Sequence, residues 1–380
     1  MINRRTSASR GAAAIVLAAL VAAGALAAPP RGRADGLVLA SIAMDDARGH
    51  VLVTGAGRLN ILDAASGRLL RTTRLTGDPF AAVVDARTGH AFLADPLGKS
   101  VNVIDAGSGA TRRRVPLGFS PGLEAVDGAS GHVFVAGSGA EGAANANAGG
   151  ASVDMLAASD GTVLRVMTFA AAPSALAVDA VTRRAFVATS DDRVQVLDTR
   201  GGGLVSTVAV GRHPIAIAVD ARTNRAFVAA AGDKTVTTLD ASSGQPLRTT
   251  VIDGAPVGMA VDSVAGRLFV STPGTNSVTV LDARTGVRLR AVAVGLYPQS
   301  IAVDEAAGQA FVANPGGATV SVLDTRSGAV LRTVHMDMTP LRMVVDARAN
   351  HLFITGLAGN TVGMLATRGG SAFRAIELGS

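Results

Sequence analysis

The chain has 380 residues, with 33 Arg against 2 Lys, 11 Phe, a single Tyr and no Cys or Trp. Without cysteine there is no disulfide, thiolate nucleophile or Cys-based metal site, so packing alone must hold a chain long enough to bury a large core. The formal charge of +6 loses three with Arg4, Arg5 and Arg10 and one more across Arg31, Arg33 and Asp35, which leaves residues 36–380 near +2. That field is too weak to argue for a nucleic-acid partner from charge.

In chain order, residues 1–28 read as a secretory signal peptide. Arg4, Arg5 and Arg10 form a positive start, Gly11–Ala28 is an apolar run without a charge, and Ala25-Leu26-Ala27 has the spacing of a cleavage site. The competing reading is an uncleaved anchor, but the run is rich in Ala and at the lower edge of a membrane span. No transmembrane span is expected in the mature chain. The Arg4-Arg5 pair leaves both general and twin-arginine export open. Residues 29–35 read as a linker. Export together with the absence of Cys points to a bacterial periplasm or the cell exterior.

Residues 36–380 are a repeat. An Asp closes the same apolar run at Asp45, Asp85, Asp127, Asp179, Asp220, Asp262, Asp304 and Asp346, at spacings of 40, 42, 52, 41, 42, 42 and 42 residues. The seventh unit is the clearest: Ser300–Asp304, Ala310–Asn314, Thr319–Asp324 and Ala329–Val334 are short Val- and Ile-rich runs separated by Gly, Pro and Asn. Such runs predict a four-strand antiparallel meander. A four-strand unit of about 40–45 residues is the period of a propeller blade, whose faces are covered only by its neighbours. The chain is therefore expected to be all-β, a β-propeller of eight four-stranded blades. Seven blades with an outlying unit is the alternative. The last repeat runs complete to Leu378, so blade 1 should close on blade 8 without exchanging a strand.

Repeat positions absorb most of the composition. Leu52, Phe92, Phe134, Phe186, Phe227, Phe269, Phe311 and Phe353 share one second-strand position and are expected between blades. Asp63, Asp105, Asp198, Asp240, Asp282 and Asp324 open the third turn, where a carboxylate accepts turn N–H bonds. Blades 3 and 8 carry Ala157 and Ala366 there. His50, His90, His132 and His351 hold one position in the first hairpin turn and cannot gather as a metal site. The Gly137–Gly142 match to a dinucleotide fingerprint has no helix after it. Gly118–Gly122 matches a nucleophile elbow but precedes a strand, and Ser120 and His213 belong to blades ~90° apart in an eight-bladed ring. No catalytic residue, metal or cofactor is assigned.

The motifs carry a resemblance. Ala302-Val303-Asp304, Phe311-Val312-Ala313-Asn314 and Thr319–Asp324 resemble the YVTN-type β-propeller repeat family, with Phe311 in the place of the signature Tyr. Among exported members the chain is similar to the YncE-like periplasmic proteins. That resemblance implies a propeller over residues 36–380. One branch is associated with single-stranded DNA binding, and the wider fold family includes lactonase-like enzymes.

Departures from the repeat mark where function could sit. The fourth-to-first and second-to-third connections of a propeller share one face. Just before the recurring Pro of the former stand Asp78, Ser120, Ala172, His213, Ala255, Tyr297 and Thr339, with Arg212 and Gln299 beside two of them. In the first strands, Glu124 and Arg342 replace small or aliphatic residues. A charge there must reach solvent or a partner. The candidate ligand-binding residues are thus Asp78, Arg212, His213, Tyr297, Gln299 and Arg342, with the Gly- and Ala-rich insertion at Gly137–Ala151 as a cover. The expected function is a non-catalytic binding scaffold for a protein or small molecule. A lactonase- or lyase-type enzyme and single-stranded DNA binding are the alternatives.

Overall fold

The computed structural model describes residues 39–139, 151–357, 360–368 and 373–378. The expected signal peptide and linker, and residues 140–150 of the blade-3 insertion, lie outside them. The described residues form eight four-stranded sheets, each an antiparallel meander of consecutive strands. In blade 7 the strands are Ile301–Asp304, Gln309–Asn314, Thr319–Asp324 and Val330–His335, each boundary within one residue of the sequence reading. The only helical segments described are two short 3-10 turns, Pro273–Thr275 and Pro315–Gly317. No helix among the described residues is long and apolar enough to cross a membrane. First strands touch first strands around the whole circuit, including blade 8 against blade 1, so they line the axis.

The second strands are buried almost throughout, and successive side chains enter opposite inter-blade faces. Directly paired residues share a sheet face. Phe134 pairs with Ala125 and Met155 on the face turned to blade 4, while Val135 pairs with Glu124 and Asp154 on the face turned to blade 2. All seven repeated Phe are fully buried, as is Leu52 in blade 1. Each of the eight apolar clusters spans two adjacent blades, so the core is a set of wedges rather than one centre.

Closure needs no shared strand. Leu39 pairs with Gly55 in blade 1, and blade 8 is complete in itself. The seam is an ordinary interface in which Ile42, Val51 and Leu62 pack with Val344, Phe353 and Ile376. Polar contacts across it include the His351 imidazole with the Ala64 carbonyl at 2.9 Å, Arg348 to the Asp46 carbonyl at 2.5 Å and Arg374 to the Ser66 carbonyl at 2.9 Å. The first of these recurs around the molecule. His90 and His132 reach the Ala158 and Thr199 carbonyls of the next blade, and Arg184 and Arg225 donate to those of Ser242 and Arg284. Three of the four hairpin-turn histidines are thus inter-blade clamps, whereas the buried His50 Nδ1 has no partner among the described residues.

Turn chemistry fixes the meanders. Asp324 Oδ1 accepts from the Ser327 amide and hydroxyl, both at 2.7 Å, and these bonds hold the carboxyl below its usual pKa. Gly328 closes the same turn at φ 69°, a left-handed conformation that costs Gly little, and the Arg290 stem of blade 6 packs on it.

Candidate functional site

The fourth-to-first loops lean on second-to-third turns of the blade before, which places both on one face as expected. The His213 amide donates to Asp192 Oδ1 at 2.8 Å, and the Tyr297 amide donates to Asn276 Oδ1 at 2.8 Å. Asp78 makes a related link through its side chain, accepting from the Gly57 amide at 3.0 Å. These contacts stitch blade 4 to 5, 6 to 7 and 1 to 2.

His213 and Tyr297 share a further property. Their backbones are left-handed, at φ 57° and 59°. Other non-glycine residues with positive φ include Lys99, Asn224 and Asn350, which occupy repeated hairpin turns that demand it. The loop before the first strand makes no such general demand: Ser120, Ala172, Ala255 and Thr339 occupy the same position without it. A left-handed non-glycine residue costs about 1–2 kcal/mol, and both side chains are exposed, Tyr297 by 55%. Burial therefore does not explain them.

The other candidates divide. Arg212 is engaged within its own blade, its Nε 2.6 Å from Asp233 Oδ1 and its amide 2.7 Å from Asp233 Oδ2. Asp233 raises the guanidinium's pKa through that hydrogen bond and its charge, so part of the expected donor fork is already used. Gln299 serves through its backbone, bonding the Ala313 carbonyl and accepting from the Ser271 hydroxyl at 2.5 Å. Ser120 donates to the Pro96 carbonyl at 2.8 Å and is a loop brace.

The two first-strand charges lie in different interfaces. Glu124 is enclosed between blades 2 and 3. Desolvation pushes its carboxyl well above the usual range and the Ala94 backbone opposes this, yet neither oxygen has a hydrogen-bond partner among the described residues. On the same sheet face, across Val135, Asp154 is buried and pushed up to about 6 by desolvation, against the Ser152 hydroxyl bond at 3.0 Å. Asp154 was missed in the sequence because other blades hold polar residues there too, among them Asn60, Asn102 and Gln195. Arg342 is partly buried near the top of the blade-8 first strand. Its guanidinium carbon is 5.2 Å from the centre of the Phe80 ring, which belongs to the loop entering blade 2. Burial lowers its pKa from the usual arginine value. No three His, Asp or Glu among the described residues group as a metal-ligand set.

These features define an eight-bladed β-propeller, with departures from the repeat in its fourth-to-first loops and in two blade interfaces. No protein-family profile matches the chain, and no curated protein matches it. Solved structures do. The chain is similar to the computationally designed Ika8 protein at a TM-score of 0.69, with 16% identity over 84% of this chain and 94% of that one. It is similar to Sqt1 of Saccharomyces cerevisiae at a TM-score of 0.71, with 11% identity over 85% of this chain and 95% of that one. Dihydro-heme d1 dehydrogenase NirN, solved with DHE, gives a TM-score of 0.68 and 12% identity over 96% of this chain and 78% of that one. At such identities the likeness is one of fold.

Proposed function

We propose that the protein is an exported, YncE-like propeller of YVTN type that acts as a non-catalytic binding scaffold in the bacterial envelope, periplasmic or extracellular. Its partner is a protein or small molecule held on the face of the fourth-to-first loops. The observation that carries this reading is the pair His213 and Tyr297, exposed side chains on left-handed backbone at one repeat position. Strain kept where packing does not require it is expected where a side chain must be presented. Export rests on the signal-peptide pattern of residues 1–28. The test is a metabolite, protein and oligonucleotide binding screen on the wild type and on a triple Arg212/His213/Tyr297→Ala variant of matched stability. Loss of at least tenfold in affinity is expected for the triple variant. A ligand bound equally by both would remove this face as the site.

One observation favours an enzyme as second reading: Glu124 and Asp154 share a sheet face and both hold their protons above the usual range. A lactone-hydrolysis assay comparing wild type with Asp154→Asn tests it. Turnover absent in the wild type, or unchanged in the variant, would end this reading.

A further inference from the structure

Arg342 breaks the repeat more sharply than any loop residue. Its equivalents are Ser41, Ala81, Leu123, Ala175, Ala216, Gly258 and Ser300, so seven blades place nothing charged there. Its side chain lies on the face of blade 8 that turns to blade 1, the face on which Val344 packs with Ile42. The guanidinium meets Phe80 of the blade-2 entry loop, 5.2 Å from the ring centre. Among the described residues no carboxylate forms an ion pair with Arg342, and no acceptor bonds it.

A second group without a partner stands next to it. Thr355 pairs directly with Arg342 across the sheet, so the two side chains share a face. The Cβ atoms of such a pair are about 4.5–5.5 Å apart. The Thr355 hydroxyl is fully buried and has no hydrogen-bond partner among the described residues. The Arg342 guanidinium is partly buried and within reach of solvent but has no acceptor among the described residues, and the buried, unpaired hydroxyl beside it is costly unless something completes it. Arg332 also has unsatisfied nitrogens. It sits on an outer strand at a position that seven blades fill with Arg, so the fold accounts for it.

We infer that Arg342 and Thr355, with Phe80 over them, bind the carboxylate of a small organic molecule entering the axial opening. The geometry favours a monoanion. One guanidinium and one hydroxyl supply a single positive charge, whereas a phosphate dianion would need a second cation. A cation–π contact uses the guanidinium face and leaves its N–H edge free for a planar, two-point acceptor. The Phe80 ring, 38% exposed, offers apolar surface to the body of the ligand. This inference names the ligand class for the binding reading above and rests on it.

Benzoate is the probe and inorganic phosphate the comparison, each titrated by calorimetry into the full chain. Saturable benzoate binding is expected, with phosphate at least tenfold weaker. Arg342→Met should weaken benzoate at least tenfold and Arg342→Lys by less. Thr355→Val and Phe80→Leu should each weaken it several-fold at unchanged circular dichroism. Absence of saturable benzoate binding in the wild type overturns the inference, as does equal binding by Arg342→Met. If Arg342→Met does not fold, unchanged affinity in both Thr355→Val and Phe80→Leu overturns it. Benzoate binding that survives these changes but is lost in the Arg212/His213/Tyr297 triple variant would sink the Arg342 site and leave the loop-face reading standing.

Discussion

Glu124 stands where other blades have Ile42, Ala82, Leu176, Ile217, Met259, Ile301 and Met343. Its burial without a hydrogen-bond partner makes a pH prediction with a definite sign. The folded state raises the carboxyl above its ordinary 4.5, so the folded chain binds more protons than the unfolded one once the pH passes that value. Stability from this group is therefore fully present below about pH 4.5 and falls as pH rises toward the folded pKa. Glu124→Leu should stabilise the protein at pH 8 by about 1–3 kcal/mol and by less at pH 4, as read by urea unfolding at both pH values. A gap that narrows toward pH 8 would mean the carboxylate is ionised and paired. At the same scale, Tyr297→Gly should cost no stability and should add about 1 kcal/mol by relieving the left-handed backbone. A clear loss in thermal unfolding would show that the Tyr297 side chain is a packing element. The sequence exposed both anomalies because a repeat makes an odd residue conspicuous. It did not expose the Arg212–Asp233 pair or the Asp78–Gly57 link. Those join residues 21 positions apart through the curl of the loops, which no local pattern encodes.

At the scale of the strand, alternation and turn residues made the meander readable to within a residue, and the buried Phe position followed from period alone. Phe227→Ala should cost about 3–5 kcal/mol, because Phe227 is enclosed by Met259, Leu268 and Val270 of the next blade. An unchanged urea midpoint would contradict the wedge packing. The fourth strands were less legible. Arg71, Arg113, Arg165, Arg248, Arg290, Arg332 and Arg374 repeat there, and composition alone leaves them unexplained. The structure shows that several reach forward to the next blade. Arg113 bonds the Thr162 hydroxyl at 3.1 Å, Arg165 the Gly201 carbonyl at 2.5 Å, and the Arg71 and Arg248 stems pack on Gly109 and Gly286. A long side chain on an exposed edge strand also discourages edge-to-edge pairing with another molecule. The period showed where these arginines fall; only the placement of adjacent blades shows what they touch.

For the whole molecule, counting repeats was sufficient to reach eight blades and a closure without strand exchange, since each unit carries its own four strands. The axial cluster at Arg342 needed coordinates, because Phe80 reaches it from the loop entering blade 2, far away in the sequence. The seam between Val344 and Ile42 is built like the other seven contacts, and so the point where the chain begins is arbitrary to the ring. A circular permutant that opens between Asp253 and Gly254 and joins Leu378 to Leu39 by a linker as long as Val294–Ser300 should fold and melt within about 5 °C of the parent. A much lower melting point would reveal that the native ends do latch the ring. In genetic terms the blade is a cassette: a cut-and-splice at equivalent turns moves whole wedges with their clamps attached. Loop variants such as the His213 and Tyr297 units can then be shuffled among positions around the opening without redesigning the core.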